Sequence, residues 1–404
     1  MFASDTSLGH SGKTDSGRTV ALTFPENEYR RRLQRTGQKL CDSGLAALLV
    51  FAQESHLYLT GFDTAGYVFF QCGIITPDGK AVALLTRRPD QSQALRASLY
   101  ENVHIWYNAN DADPAADLAA ILKELGLEGK RLGVELATYG LTGFNWESVR
   151  KTLGSHFTLE DGSAIVREQR LIKSEAELGL VRRSAQLADD AVEAMIRSVQ
   201  PGVLDSSITA AGVTAMLNGG GDMPAAGPMV NTGPRAIYGR GFGSARHLEN
   251  VDQIVLELAA SYRRYNVCTE HTVTIGAVPP KQKHMHAATV EALEKVLQAA
   301  RPGEPIGRLD DIHRSTLDHF GYERARFSAC GYSLGATFRP SWMDAPPMIY
   351  SGNPILLEPG MVLFVHIMLG DAESGLAAGV GETFVIRDGE PERLSRIRPA
   401  LHRI

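Results

Sequence analysis

Leu256 to Gly276, LELAASYRRYNVCTEHTVTIG, is the stretch of sequence that decides the fold. Apolar and β-branched residues lie on both sides of a central Tyr-Arg-Arg-Tyr turn, a pattern that predicts a β-hairpin. Polar side chains interrupt these strands at Glu257, Cys268 and Glu270. Cys268 and Glu270 are two residues apart, so their side chains should share one face. A carboxylate is rarely buried without a partner. The hairpin therefore predicts a functional site on the face that carries Glu270.

The composition is that of an ordinary globular protein with room for two cores. The chain has 404 residues, a net charge of −5 and 44% hydrophobic residues. It has no Lys/Arg cluster and no apolar run long enough to span a bilayer, so neither nucleic acid nor a membrane is an expected partner. Its four cysteines lack CxxC spacing, which argues against a zinc knuckle and favours a cytoplasmic setting.

Periodicity divides the chain into three parts. Residues 1–24 are polar at the start and are predicted to form a flexible arm. Residues 25–165 alternate helical and strand patterns, which predicts an α/β domain. Residues 166–404 place long helices beside a strand-rich end, which predicts an α+β domain. Ser174-Glu175-Ala176-Glu177 has the pattern of a helix N-terminus, with a serine cap and acidic residues in the first turn.

Four segments of the second half together resemble one known superfamily. They are NTGPRAIYGR (231–240), LELAASYRRYNVCTEHT (256–272), CGYSLGATFRPSW (330–342), and LEPGMVLFVHIM (357–368) with AGVGETFVI (378–386). Their order and spacing resemble the creatinase and methionine aminopeptidase superfamily. This resemblance implies a creatinase-type α/β N-terminal domain followed by an α+β catalytic domain with the pita-bread fold.

The resemblance also indicates where family members would hold two metal ions. Carried over to this chain, the five metal positions hold Glu257, Cys268, Tyr332, His366 and Glu382. Two accompanying histidine positions hold Arg240 and Arg339. Only Glu382 matches the family, and two arginines would repel cations. We therefore expect no metal and no other cofactor.

The metal-independent branch of the superfamily, which includes creatinase and ectoine hydrolase, is the better match. It implies hydrolysis of a non-peptide C–N bond in a small amidine, guanidine or cyclic amide that carries a carboxylate. Glu270, Glu382 and His366 are the expected catalytic residues. The loop at Phe62 and Asp63 reaches the partner subunit's pocket in the family, which implies a homodimer and a place for both residues in substrate binding.

The remaining candidates each have a structural alternative. Arg240 and Arg339 would hold a substrate carboxylate, or would pair with Glu257 and Glu382. Tyr332 and Trp342 would line the substrate pocket, or would pack as core aromatics. Cys268 would be a nucleophile or a small buried residue. His271 directly follows Glu270, so it should face away from the site.

Two other functions compete with metal-independent hydrolysis. Glu257, Cys268, His366 and Glu382 are all acceptable zinc ligands and could form one tetrahedral site. Alternatively, Arg240 at a catalytic histidine position favours a non-hydrolytic lyase or cyclase, or a binding protein on the same fold.

Overall fold

A computed structural model describes residues 22–404, and the chain divides into two compact units after Arg170. The predicted arm over residues 1–24 lies outside the described residues except for its last three. Helix Ser163–Leu171 runs across the predicted boundary at residue 165. Val166 is fully buried in a core of the first unit, and the compact units meet between Arg170 and Leu171. Within residues 22–404, no helix has both the length and the apolarity needed to cross a membrane.

The first unit is an α/β domain, as predicted. Its six strands form one mixed sheet in the order β4-β3-β2-β1-β5-β6. The strands are β1 (Ala47–Val50), β2 (Cys72–Thr76), β3 (Lys80–Arg87), β4 (Asn102–Trp106), β5 (Arg131–Val134) and β6 (Thr158–Asp161). The helices are α1 (Glu26–Ser43), α2 (Gln53–Thr60), α3 (Gln91–Arg96), α4 (Pro114–Glu124), α5 (Gly143–Leu153) and α6 (Ser163–Leu171).

The central strand β1 shows why this sheet is covered on both faces. Its four residues are all fully buried. Ala47 and Leu49 belong to one apolar cluster, whereas Leu48 and Val50 belong to a second. Successive side chains of a strand point to opposite faces, so the continuous apolar run supplies both cores at once.

The second unit is built on one large, mainly antiparallel sheet. The main path is β11-β10-β12-β13-β9-β8-β7, with β14 paired to β13 and β15 paired to β9. The strands are β7 (Met229–Thr232), β8 (Asp252–Tyr262), β9 (Tyr265–Ile275), β10 (Gly331–Ser333), β11 (Met348–Ile349), β12 (Val362–Asp371), β13 (Leu376–Val385), β14 (Glu392–Arg393) and β15 (His402–Arg403). The helices are α7 (Glu175–Ser198), α8 (Asp205–Asn218), α9 (Pro280–Ala299) and α10 (Gly307–His319).

Alternation along β12 and β13 decides which side chains face the helices α9 and α10. Leu363, Val365, Ile367 and Leu369 of β12 join residues of both helices in one apolar cluster, and so do Ala378, Val380 and Phe384 of β13. The residues between them must point to the other face of the sheet. That second face carries the candidate site.

Helix α7 begins as the sequence predicts. The Ser174 hydroxyl accepts the Glu177 backbone N–H, and the Glu177 carboxylate accepts the Ser174 backbone N–H. This reciprocal capping box satisfies two N–H groups that have no partner within the helix. It fixes the first turn of the second unit.

Candidate active site

The site is a row of side chains across four neighbouring strands. In strand register, Glu257 of β8 lies opposite Glu270 of β9, Glu270 lies opposite Gly381 of β13, and Gly381 lies opposite His366 of β12. Directly opposed residues project from the same face of a sheet. The hairpin therefore brings Glu257 and Glu270 together, and the sheet adds His366 to them.

The two glutamates form a mutually repelling pair, in which Glu270 is buried and Glu257 is half-buried. Glu270 is only 1% exposed, and its Oε2 atom has no hydrogen-bond partner among the described residues. Burial, followed by the charge of Glu257, raises the pKa of Glu270 well above its ordinary value. Burial also raises the pKa of Glu257, to about 7, although the Tyr332 hydroxyl and the Arg240 charge oppose the rise. The pair therefore holds a proton close to neutral pH.

His366 contacts this pair as an uncharged ring. Its Nδ1 lies 3.9 Å from Glu270 Oε2, and its side chain is 24% exposed. The ring stacks on Phe364 at 5.5 Å with an interplanar angle of 2°. Burial lowers the pKa of His366 to about 4, with smaller contributions from His313 and Arg240. His366 lies where the sequence predicts, but as a weaker base than a histidine with a near-neutral pKa.

Tyr332 and Trp342 close one side of the row through hydrogen bonds. The Trp342 indole N–H donates to the Tyr332 hydroxyl over 2.8 Å, and that hydroxyl donates to Glu257 Oε1 over 3.4 Å. Both aromatic residues are at least 95% buried. They are thus site residues as well as core packing, because their polar atoms reach the carboxylate pair.

Glycines form the floor beneath Glu270. A Cβ atom on Gly381 would lie 2.7 Å from Phe364 Cζ and 3.0 Å from Glu270 Cβ. One on Gly379 would lie 2.8 Å from Glu270 Cδ and closer still to its Oε1 atom. Glycine inside a strand often marks such a close approach. Phe364, Gly379 and Gly381 are not among the residues predicted from sequence, although Gly-Val-Gly within a strand is a signal of such a close approach.

Arg240 and Arg339, which were predicted to bind a substrate carboxylate, lie on different loops of the second unit. Arg240 is exposed on the loop before β8, yet its charge acts on the pKa values of both Glu257 and His366. Arg240 therefore lies near the entrance of the site. Arg339 is exposed on the segment between β10 and β11.

Cys268 and His271 behave as buried structural groups. Cys268 is 1% exposed, and burial followed by the Glu257 charge raises its thiol pKa well above the ordinary value. A thiol that stays protonated is a poor nucleophile. His271 faces away from the site, as predicted, and its ring contacts Thr269 and His402 over 2.8 Å and 3.4 Å.

Glu382 is not in this site, which corrects the prediction from sequence. It lies opposite Thr269 and Val365, one residue past Gly381, and so projects from the helix-covered face. There it accepts hydrogen bonds from Arg393, at 2.9 Å to Oε1, and from Arg398, at 3.2 Å. Arg393 also binds Glu294 of α9. Glu382 therefore belongs to an ion cluster that fastens β13, β14 and α9 together.

Phe62, which the resemblance places at the partner subunit's pocket, packs inside its own unit. Its side chain is fully buried and packs edge-on against His56 at 5.9 Å and Tyr100 at 6.3 Å. Asp63 is partly buried, and its backbone carbonyl accepts a hydrogen bond from the Gln93 amide. Phe62 is thus a core residue of the first unit.

The donors on the site face do not fit a metal centre. With Glu382 turned away, the predicted zinc set is reduced to Glu257, Cys268 and His366. Of residues 22–404, the group that brings three potential ligand atoms within 4.8 Å of one another is Asp310, His313 and Cys330. The predicted zinc set is therefore not assembled. Arg240 adds a positive charge that opposes a cation.

Comparisons with known proteins agree with this architecture. The chain is 24% identical over 392 residues to an ectoine hydrolase from Halomonas elongata, covering 93% of this chain and 97% of the relative. It is 28% identical over 272 residues to a Xaa-Pro dipeptidase from Pyrococcus horikoshii, covering 67% and 74%. The solved prolidase from Thermococcus sibiricus superposes with a TM-score of 0.84 at 20% identity, covering 93% and 99%.

The two units and the site together define a creatinase-type domain followed by a pita-bread catalytic domain. Residues 32–172 match the creatinase/prolidase N-terminal domain, and residues 179–388 match metallopeptidase family M24. The chain belongs to metallopeptidase family M24, and we treat it below as a hydrolase of that family.

Proposed function

We propose that this protein is a metal-independent hydrolase of a non-peptide C–N bond. Its substrate would be small, with one carboxylate and an amidine, guanidine or cyclic amide group. The observation that carries the proposal is the Glu257–Glu270 pair beside His366, on a face whose donors do not assemble a metal site. Similarity to an ectoine hydrolase along most of both chains supports it.

A carboxyl pair that shares one proton supplies both a base and an acid. The ionised member binds a cationic nitrogen and takes a proton from water as the water adds to the carbon. The protonated member gives its proton to the nitrogen as the C–N bond breaks. One proton has then moved from water to the first carboxylate and one from the second carboxyl to the amine. Transfer of a proton between the two carboxyls restores the starting state.

The same carboxylate could instead attack the carbon and expel the amine, which takes the proton of the second carboxyl, to give a mixed anhydride or its amidino counterpart, which water then cleaves at the glutamate carbonyl carbon. The two routes differ in the fate of water oxygen. A single turnover in ¹⁸O-labelled water labels only the product when water attacks directly. The covalent route leaves the label in the glutamate carboxylate after repeated turnovers, where mass spectrometry of the active-site peptide detects it.

Arg240 is the proposed anchor for the substrate carboxylate. Its guanidinium is exposed at the entrance, and its charge acts on both Glu257 and His366. Arginine binds carboxylates through two parallel hydrogen bonds, which fixes the orientation of a small substrate. An anionic end held by Arg240 would leave the cationic end beside the glutamate pair.

Metal-dependent cleavage of Xaa-Pro dipeptides is the second candidate. The family assignment and the 28% identity to a Xaa-Pro dipeptidase favour it. A two-metal mechanism needs several oxygen donors around both ions. The site face provides two carboxylates, and Glu382 is bound to arginines on the other face.

One assay separates these functions. Protein purified with a chelator is incubated with creatine-like and ectoine-like compounds and with Xaa-Pro dipeptides, with and without added Mn²⁺ or Zn²⁺. We expect turnover of an amidine, guanidine or cyclic amide at an unchanged rate in the chelator. Cleavage of dipeptides that appears only after metal addition would establish the second candidate instead.

Binding without turnover across that panel would favour the non-hydrolytic enzyme or binding protein. Calorimetry with the same compounds detects such binding directly. We also propose that the protein is a homodimer, as the sequence resemblance implies, and sedimentation equilibrium tests this assembly.

A further inference from the structure

The hydrogen-bond chain that ends at Glu257 has a fixed direction. The Trp342 indole is a donor only, and its N–H lies 2.8 Å from the Tyr332 hydroxyl oxygen. That oxygen must therefore accept from Trp342. The hydroxyl proton of Tyr332 is left to donate to a different group. Trp342 is 3% exposed and Tyr332 is 4% exposed, so water has little access to reverse this arrangement.

Glu257 is the strongest acceptor for that proton. Its Oε1 atom lies 3.4 Å from the Tyr332 hydroxyl. The Cys268 thiol also lies close enough to Tyr332 to interact with it, but sulfur is a weak acceptor. A hydrogen bond donated to a carboxylate stabilises the ionised form. Arg240 acts on Glu257 in the same direction through its charge.

Glu270 has the opposite environment. It is 1% exposed, its Oε2 atom has no hydrogen-bond partner in the part of the chain that the structure describes, and it lies opposite Glu257. The His366 ring, at 3.9 Å, is too distant for a hydrogen bond. A charge on Glu270 would therefore be both desolvated and repelled by its neighbour.

We propose that Trp342 is a positioning residue that acts through Tyr332 to keep Glu257 ionised and to leave the shared proton on Glu270. Trp342 does not touch the reacting atoms. It strengthens the difference between the two carboxyls, so that Glu257 is the base and Glu270 is the acid. This assignment of roles rests on the proposed hydrolysis, whereas the location of the proton does not.

The position of the proton can be measured without any substrate. Infrared difference spectra of the full-length protein, made with ¹³C-labelled glutamate, report the C=O band of a buried protonated carboxyl. At a pH about one unit above the pKa of Glu257, where Glu257 is mostly ionised, we expect this band in the wild type and in Glu257→Gln, and its loss in Glu270→Gln. Loss in Glu257→Gln with retention in Glu270→Gln would reverse the assignment and overturn the proposal.

The role of Trp342 is tested by a double-mutant cycle. Trp342→Phe and Tyr332→Phe should each raise the pKa of Glu257, because each weakens the hydrogen bond that stabilises its ionised form. For Tyr332→Phe the acid dissociation constant of Glu257 should fall about tenfold. Because Trp342 acts through Tyr332, the double variant should match Tyr332→Phe alone. A Trp342→Phe effect that persists in the Tyr332→Phe background would contradict the proposal, since packing alone would explain it.

Two controls keep these outcomes separate. Trp146→Phe removes a half-buried tryptophan of the first unit and should leave the band unchanged. Circular dichroism melts identify any variant that fails to fold. If Trp342→Phe does not fold, Tyr332→Phe still tests the hydrogen-bond chain from Trp342 to Glu257. A wild type with the expected band but no turnover of any tested compound would refute the proposed function and leave the proton assignment standing.

Discussion

At the scale of single residues, Glu270 and Glu382 are a matched pair of glutamates on opposite faces of one sheet. Glu270→Gln removes the proton donor of the proposed reaction and should lower kcat by a factor of about 10²–10⁴. Glu382→Gln weakens the cluster with Arg393 and Arg398 and should mainly lower stability, by about 1–3 kcal/mol. Steady-state kinetics and thermal melts of both variants measure the two effects. Near-normal activity in Glu270→Gln would remove Glu270 from the mechanism.

The pH dependence follows from Glu257. Burial raises its pKa to about 7, and the reaction needs its ionised form. The value of kcat/KM should therefore fall as the pH decreases through about 7, tenfold per pH unit well below it. The pKa of His366 is lowered to about 4, so its protonation does not contribute to that decline. A pH profile of kcat/KM that stays flat down to pH values near 5 would exclude an ionised Glu257 as the base.

Arg240 offers a test of substrate orientation. Arg240→Ala should raise KM about 10- to 100-fold, because a bidentate carboxylate contact is lost. Arg240→Lys keeps the charge but loses the planar fork, so its KM should lie between the wild type and Arg240→Ala. A substrate analogue without the carboxylate should bind wild type and Arg240→Ala equally. Unequal binding of that analogue would mean that Arg240 acts on a different group.

The sequence predicted correctly which face of the hairpin carries Cys268 and Glu270, and it put Glu382 on the wrong face for a simple physical reason. The strand-register argument that joined Cys268 to Glu270 is local, and the structure confirms that both lie on the hairpin face with Glu257. Glu382 was predicted to be a catalytic residue because it matched a family motif. That match was shifted by one residue from the position that faces the site. Because side chains alternate, a shift of one position moves a side chain across the sheet. Gly381 occupies the site face instead.

At the scale of elements, the glycine floor is the feature that seats Glu270. Gly381→Ala would place a methyl group 2.7 Å from Phe364 Cζ, and Gly379→Ala would place one 2.8 Å from Glu270 Cδ. Each should cost about 1–3 kcal/mol through overpacking and should also lower kcat, because Glu270 must move. Gly389→Ala is the control, since no atom lies within 4 Å of its added methyl group. Full activity in Gly379→Ala would show that Glu270 need not sit against this strand.

Elements with a local signal were easier to predict than elements decided by tertiary packing. The capping box of α7 is visible in four consecutive residues, and β1 lies inside the short apolar run of residues 45–51. The faces of β12 were harder, because Val362 to Leu369 is apolar on both sides apart from His366. A strand buried on both faces has no polar alternation to read. Only the position of α9 and α10 in the structure shows which side chains of β12 face the helices.

At the scale of the whole molecule, each unit has a complete core of its own. The first unit places apolar clusters on both faces of its sheet, and the second packs α9 and α10 on β12 and β13. The candidate row of Glu257, Glu270, Gly381 and His366 lies entirely on strands of the second unit. The row therefore takes none of its residues from the sheet of the first unit. The fold was recognisable although most residues at the family's metal positions differ.

Fragments of the first unit test where the boundary between the two units lies. A fragment of residues 22–170 contains the whole six-stranded sheet and both of its cores, so it should fold alone and unfold cooperatively. A fragment that ends at residue 165 loses Val166, which is fully buried in the second of these cores. The shorter fragment should be less stable by at least about 2 kcal/mol, because burying a valine side chain contributes about that much. Urea denaturation followed by circular dichroism compares the two. Equal stability would place the boundary back at residue 165, and a disordered longer fragment would show that the first unit depends on the rest of the chain.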